Sequence, residues 1–145
     1  MNTEFKTYLD SIGMTNVLIK RVEAIYDFYN NVASIEIADI FVTDFIKEDG
    51  SREYESVWFF SPSYAMEAKS FISKDEFDIS PIRKRITYWS IVKQDYDFLE
   101  TTDKSRLQIS FSLHEMTTGD LKASKENCNY LKGIFQKYVL PNIID

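Results

Sequence analysis

The stretch "SPIRKRITYW", residues 80–89, sets Arg83, Lys84 and Arg85 side by side in a chain whose formal net charge is −6. A guanidinium is a planar fork of donors that grips carboxylates and phosphates in pairs of hydrogen bonds, and it also stacks on aromatic faces. Side chains alternate in an extended chain, so Arg83, Arg85, Thr87 and Trp89 share one face, and Lys84, Ile86 and Tyr88 the other. Arg83, Arg85 and Trp89 are therefore a candidate recognition face for a carboxylate, a phosphate or an acidic peptide. The same pattern fits a solvent-facing strand end whose arginines pair with Asp78 or with acids of 95–103 and discourage pairing between molecules. Both readings stay open.

Other reactive types are few. His114 ends an alternating run on its polar face; as a general base it needs an orienting acid and a nucleophile, and no motif around it supplies them. Cys128 begins an apolar helical stripe, which suits an inert buried thiol better than an activated one. One Cys and one His do not make a zinc site. Asp95, Asp97, Glu100 and Asp103 lie close together, but their spacing is not that of an EF-hand loop and the glycine for its sharp turn is missing. Gly13, Gly50, Gly119 and Gly133 are too scattered for a phosphate-cradling loop. No catalytic residue, metal or cofactor is expected.

A chain of 145 residues suits one domain with its own core, 1–145. A 15 % aromatic share suits a well-filled β-rich core or an aromatic-lined pocket. A single cysteine forms no internal disulfide, in keeping with a reducing, cytoplasmic setting. "MNTEFKTYLD" carries acids and no long apolar run, unlike a secretory signal. No apolar stretch approaches the ~20 residues of a membrane helix. The acidic balance opposes nucleic-acid binding, where attraction to phosphate dominates.

Two helices open the chain. Thr3 is the expected cap of the first, Phe5, Tyr8, Leu9 and Ile12 fall on one face, and Gly13 stops it. Thr15 caps the second, whose stripe is Leu18, Val22, Ile25 and Tyr29. Together, 1–33 read as a helical hairpin. From Ser34 the period becomes two. Ile35 and Ile37 then Ile40 and Val42 change face, which predicts a bulge near Ala38-Asp39 or a strand buried on both sides. "KEDGSRE" is a polar turn, and "YESVWFF" is the next strand. Tyr64, Met66, Ala68 and Ile72 mark a third strand, Phe77 and Ile79 a fourth, and residues 84–93 a fifth. Leu107, Ile109, Phe111 and Leu113 alternate cleanly along a sixth. A turn at Thr117 to Gly119 leads to a short seventh through Leu121 and Ala123. Ser124 is the expected cap of a last helix with Cys128, Leu131, Ile134, Phe135 and Tyr138 on one face, ended at Leu140-Pro141.

The predicted class is α+β: a helical hairpin, then six or seven antiparallel strands in a curled sheet or barrel, closed by an amphipathic helix. Over roughly residues 34–140 this order resembles the pleckstrin-homology-like superfold. Phosphoinositide-binding members carry cations at the first hairpin turn. Here Lys47 and Arg52 face Glu48, Asp49 and Glu53, so that pattern is not matched. Many domains of this shape bind peptides or proteins instead, and fold alone does not dictate function. The helix-grip fold, with its apolar cavity, is a second likeness, but "MNTEFKTYL" does not read as its opening strand. The expected function is a non-enzymatic interaction or regulatory module for a peptide or protein partner, with a homodimer through a sheet edge as one arrangement. The alternative is a small-molecule carrier or enzyme with an aromatic-lined cavity beneath the last helix.

Overall fold

The structure, a computed structural model, describes residues 1–69, 76–81, 86–94, 104–113 and 117–143. Helices α1 (Thr3–Ser11) and α2 (Asn16–Asp27) form the expected hairpin. Asn2, not Thr3, caps α1 by accepting from the Phe5 amide, and Thr15 caps α2 through Leu18 N–H. At the corner Gly13 takes φ +83°. Its N–H donates to Asp10 C=O and that of Met14 to Leu9 C=O, the paired bonds by which a left-handed residue closes a helix end. A π-helical turn, Phe28–Val32, ends the hairpin.

Seven antiparallel strands follow: β1 (Asp39–Ile46), β2 (Arg52–Phe60), β3 (Tyr64–Lys69), β4 (Glu76–Pro81), β5 (Ile86–Gln94), β6 (Arg106–Leu113) and β7 (Thr117–Ser124). They form two ladders, β1-β2-β3-β4 and β5-β6-β7, instead of one curled sheet. Helix α3 (Asn127–Ile134) runs on through a π-helical turn, Phe135–Val139, and a 3₁₀ turn, Leu140–Asn142.

Strands β1 and β2 bury side chains on both faces over residues 39–44 and 56–60. Register puts Ile40 opposite Phe59 and Val42 opposite Val57 on one face, Phe41 opposite Trp58 on the other. Tyr29 of the hairpin meets Phe59 at 5.2 Å. On the opposite face Trp58 meets Phe111 of β6 at 5.8 Å and Phe60 stacks on Tyr138 at 4.8 Å. This double burial explains why "SVWFF" and the first half of β1 do not alternate. There is no bulge at Ala38-Asp39: β1 begins at Asp39, and Ile35 and Ile37 precede it in an irregular segment. The register slip lies between Thr43 and Asp44, where Glu55 of β2 is left unpaired.

Two further expectations are corrected. Thr117 to Gly119 belong to β7, not to a turn. Gly119 pairs with Phe111, and a Cβ there would meet the Phe111 ring at 2.6 Å; the glycine makes room for the ring. Ser124 does not cap α3. Lys125 takes φ 53°, which separates strand from helix, and α3 starts at Asn127 after Glu126.

Helix α3 covers β1, β6 and β7. Cys128, Leu131 and Ile134 are fully buried, and Phe135 and Tyr138 are partly buried against the same cluster. Deleting the Leu131 side chain leaves a cavity between helix and sheets. Leu131→Ala should therefore lower unfolding free energy by about 2–5 kcal/mol in urea denaturation. A loss of only a few tenths would show that α3 does not seal the core.

Candidate functional site

The densest polar cluster lies where the hairpin, both sheets and α3 meet. The Asp44 side chain is wholly buried, with Arg52 Nε 3.0 Å from its Oδ2. Its Oδ1 accepts from the Ser124 amide at 3.0 Å and from Asn127 Nδ2 at 2.8 Å, and Oδ2 accepts from the Ser124 hydroxyl. Arg52 also donates from Nη1 to Ile12 C=O and to Glu126 Oε1, each at 2.7 Å, and from Nη2 to Ser124 C=O at 3.1 Å. So Arg52 turns inward, away from Glu48, Asp49 and Glu53. Lys47 alone stays at the hairpin, 3.7 Å from Glu53. Tyr54 Oη adds a second donor to Ile12 C=O at 2.7 Å, so two side chains cap the end of α1.

Tyr8 completes the cluster. Its hydroxyl donates to Asn127 Oδ1 at 2.7 Å and accepts from the Val42 amide at 3.0 Å, while Asn127 Nδ2 reaches Val42 C=O at 2.9 Å. Its ring stacks on Tyr130 at 3.8 Å. Burial, opposed by the Val42 amide, pushes the Tyr8 phenol far above its ordinary value. Burial likewise raises the Asp44 carboxyl, against the pull of Ser124, Asn127 and Arg52. Burial alone would lower the Arg52 guanidinium, but the Glu126 hydrogen bond and the Asp44 charge leave it raised. Every Asp44 oxygen is engaged inside the protein, so this cluster holds the elements together and offers no reacting group to a substrate.

A second cluster surrounds Asp39. It accepts from Tyr130 Oη at 2.7 Å and sits 3.5 Å from Lys137 Nζ and from Tyr138 Oη. Burial and the Asp39 charge push the Tyr138 phenol up to about 12. Cys128 is buried, its thiol donating to Ala123 C=O at 3.5 Å, and burial pushes it up to about 11. It is a thiol, not a nucleophile, near neutrality.

Of the sequence-derived recognition face, Trp89 lies on β5, the edge strand of the smaller sheet. Arg83 and Arg85, with Lys84, lie outside the described residues, as do His114, Ile72 and the acids Asp95, Asp97, Glu100 and Asp103. Trp89 is 37 % exposed and meets Phe135 edge-on at 4.9 Å. Its neighbours Tyr88 and Ile91 are 58 % and 48 % exposed. Trp89 and Ile91 pair with Phe111 and Ile109, so they sit on the core-facing side of the sheet yet reach solvent. Register slips flank them, leaving Thr87 and Val92 without a β6 partner. At one end of β5, Ile86 forms a parallel bridge with Ile143. Sequence reading found Trp89 but missed Tyr88 and Ile91, because alternation alone does not say where a sheet's cover stops.

A cleft of about 340 Å³ opens between β1–β2 and β6–β7, lined in part by Phe45, Ile46, Arg106, Leu107 and Lys122. It lies between the two sheets and has a mixed polar and apolar lining, unlike the aromatic cavity beneath the last helix that the carrier reading requires. Among the described residues no group of three His, Cys, Asp or Glu side chains converges on a metal position. Nor is any described helix long and apolar enough to cross a membrane.

No family model matches the chain, and no curated protein matches it. Among solved structures it is similar to the C-terminal domain of an unknown protein from Leishmania infantum, at 11 % identity and a TM-score of 0.49. The likeness covers 81 % of this chain and 98 % of that one. It carries no argument about function.

The raised Asp44 carboxyl sets the sign of one pH effect. Between the ordinary Asp value of 3.8 and the raised folded value, the folded state holds a proton that the unfolded state has lost. The stability this adds is fully present below the unfolded value and is lost as pH rises through the folded value. Asp44→Asn has no such titration. The stability difference, wild type minus Asp44→Asn, should fall as pH rises from the acid range to neutrality in urea melts; a difference that climbs with pH would reverse the assignment.

Proposed function

We propose that this chain is a non-enzymatic interaction module that holds an extended peptide segment of a protein partner along the edge of β5. The observation that carries the reading is the exposure of Tyr88, Trp89 and Ile91 together on one edge strand. Large apolar side chains on an edge are an aggregation hazard unless covered. Strand addition covers them: main-chain hydrogen bonds supply affinity, and pockets for alternate side chains supply specificity. Trp89 and Ile91 share a face, and Phe135 stands against Trp89, which makes a shelf for the peptide's apolar positions.

Arg83 and Arg85 precede this strand by sequence and supply forks for acidic side chains in the same peptide. The chain as a whole is acidic, so attraction to such a peptide has to come from local cations such as these. The order of four strands, three strands and a closing helix supports a pleckstrin-homology-like reading of the architecture. The buried Cys128 thiol is in keeping with a reducing, cytoplasmic setting. A second copy pairing edge to edge through β5 is the homodimeric form of the same chemistry.

Selection from a displayed random-peptide library tests the reading. Enriched peptides should alternate apolar and acidic positions. Ile91→Glu should abolish their binding, and Trp89→Ala should weaken it by about 2 kcal/mol or more. Replacing Arg83 and Arg85 by Gln should weaken binding and flatten its salt dependence, with the melting curve nearly unchanged. Enriched peptides that bind Ile91→Glu as well as wild type would remove β5 as the site. Normal binding by the double Gln variant with a lower melting temperature would make the arginines structural. Concentration-dependent sedimentation of the free protein that Ile91→Glu abolishes would assign the edge to a second copy.

A further inference from the structure

Helix α2 is apolar on two sides. At about 3.6 residues per turn, Ile19, Val22 and Ile25 face the core and are buried. Val17, Ala24 and Phe28 fall on one line along another side, and Val32 follows one turn on. All four are exposed, Val17 at 71 %, Val32 at 69 % and Phe28 at 40 %. Single apolar residues on a surface need no explanation, but a row of them along one helix marks a contact surface. The row lies away from the β5 edge. The hairpin packs on one face of the four-stranded sheet through Tyr29 and Phe59, and the three-stranded sheet packs on the other through Trp58 and Phe111.

Charges beside the row say what covers it. Lys20 and Asp27 are exposed and lie on the same flank of the row, Lys20 in the first half of α2 and Asp27 at its end. Among the described residues neither joins an ion pair, and Glu23, further round that flank, is held by Lys6 of α1 at 3.7 Å. A face with a cation before its middle and an acid after it matches a copy of itself only when that copy is turned round. In two antiparallel α2 helices related by a two-fold axis at Ala24, each flank meets the same flank of the other copy. Lys20 of each copy then falls beside Asp27 of the other, so the contact forms twice. Parallel pairing would instead set Lys20 against Lys20 and Asp27 against Asp27. The small Ala24 side chain at the crossing lets the two helices approach closely.

We propose that this face of α2 pairs with the same face of a second copy of the chain, antiparallel and centred on Ala24, with Lys20 and Asp27 fixing the direction. One helix pair is a small interface, so the dimer is reversible and dissociates in the micromolar range. The pairing stands whether or not β5 binds a peptide.

Sedimentation equilibrium of the intact chain from about 1 μM to about 1 mM covers that range. The mass should rise from monomer to dimer with concentration. Ala24→Arg sets two cations against each other at the crossing. It should leave the chain monomeric with its melting curve nearly unchanged, since the position is exposed. Lys20→Glu and Asp27→Lys should each weaken dimerisation about tenfold or more, because each creates two like-charge contacts. Both substitutions in one chain should restore it. An equal mixture of the two single variants should form heterodimers at concentrations where neither associates alone. Should Ala24→Arg fail to fold, the charge reversals decide in its place. A monomer across the whole range, dimerisation unchanged in Ala24→Arg, or no rescue by the paired reversal would overturn the proposal. Loss of the dimer in Ile91→Glu with its survival in Ala24→Arg would also overturn it and assign self-association to the β5 edge.

Discussion

The fold depends on one buried ion pair, Asp44 with Arg52. Arg52 reaches the carbonyl of Ile12 just after α1, the last carbonyl of β7 and the Glu126 side chain that precedes α3. Asp44 takes the Ser124 amide and hydroxyl and the Asn127 side chain. The end of α1, the β1–β2 ladder, β7 and the start of α3 thus meet at two side chains. Taking two charges out of water is costly, and the cost is offset by hydrogen bonds to both Asp44 oxygens and by three from the Arg52 Nη atoms. Such a pair contributes less to net stability than to placement. Its bonds to Ile12, Ser124 and Glu126 are directional, which apolar packing is not.

The same corner explains how β1 ends its sheet. Among the described residues no strand pairs with Val42 on its outer side, yet its amide and carbonyl are bonded to Tyr8 and Asn127. At Val42 side chains take the place of a neighbouring strand. The edge at β5 is treated differently. Its apolar residues reach solvent, and among the described residues its one pairing outside the β6 ladder is the Ile86–Ile143 bridge. One edge is bonded at Val42 by polar side chains, and the other carries exposed apolar ones. That asymmetry ties architecture to the proposed function.

Buried phenols follow the same logic. Tyr8, Tyr130 and Tyr138 each place a ring in an aromatic stack and a hydroxyl on a polar partner. Their high proton affinities come from burial and nearby carboxylates. They are donors fixed in place, with no route by which they would titrate under ordinary conditions. The chemistry of the interior is therefore that of position.

By itself the sequence determined the elements and the absence of reactive motifs. Apolar spacing in α1 and α2, the alternation of Leu107, Ile109 and Phe111, and the stripe from Cys128 to Tyr138 follow from the local geometry of helix and strand, and the structure keeps them. Tertiary structure decided what local pattern does not encode. Nothing near Arg52 in sequence says that it turns away from Glu53 toward Asp44, because its partners Ile12, Ser124 and Glu126 are remote in the chain. Ser124 looks like a helix cap, but the buried Asp44 carboxylate claims its hydroxyl. Gly119 looks like a turn, but the ring of Phe111 needs its space. The division into two sheets arises from contacts between elements, where side chains distant in sequence compete for the same volume and the same hydrogen bonds.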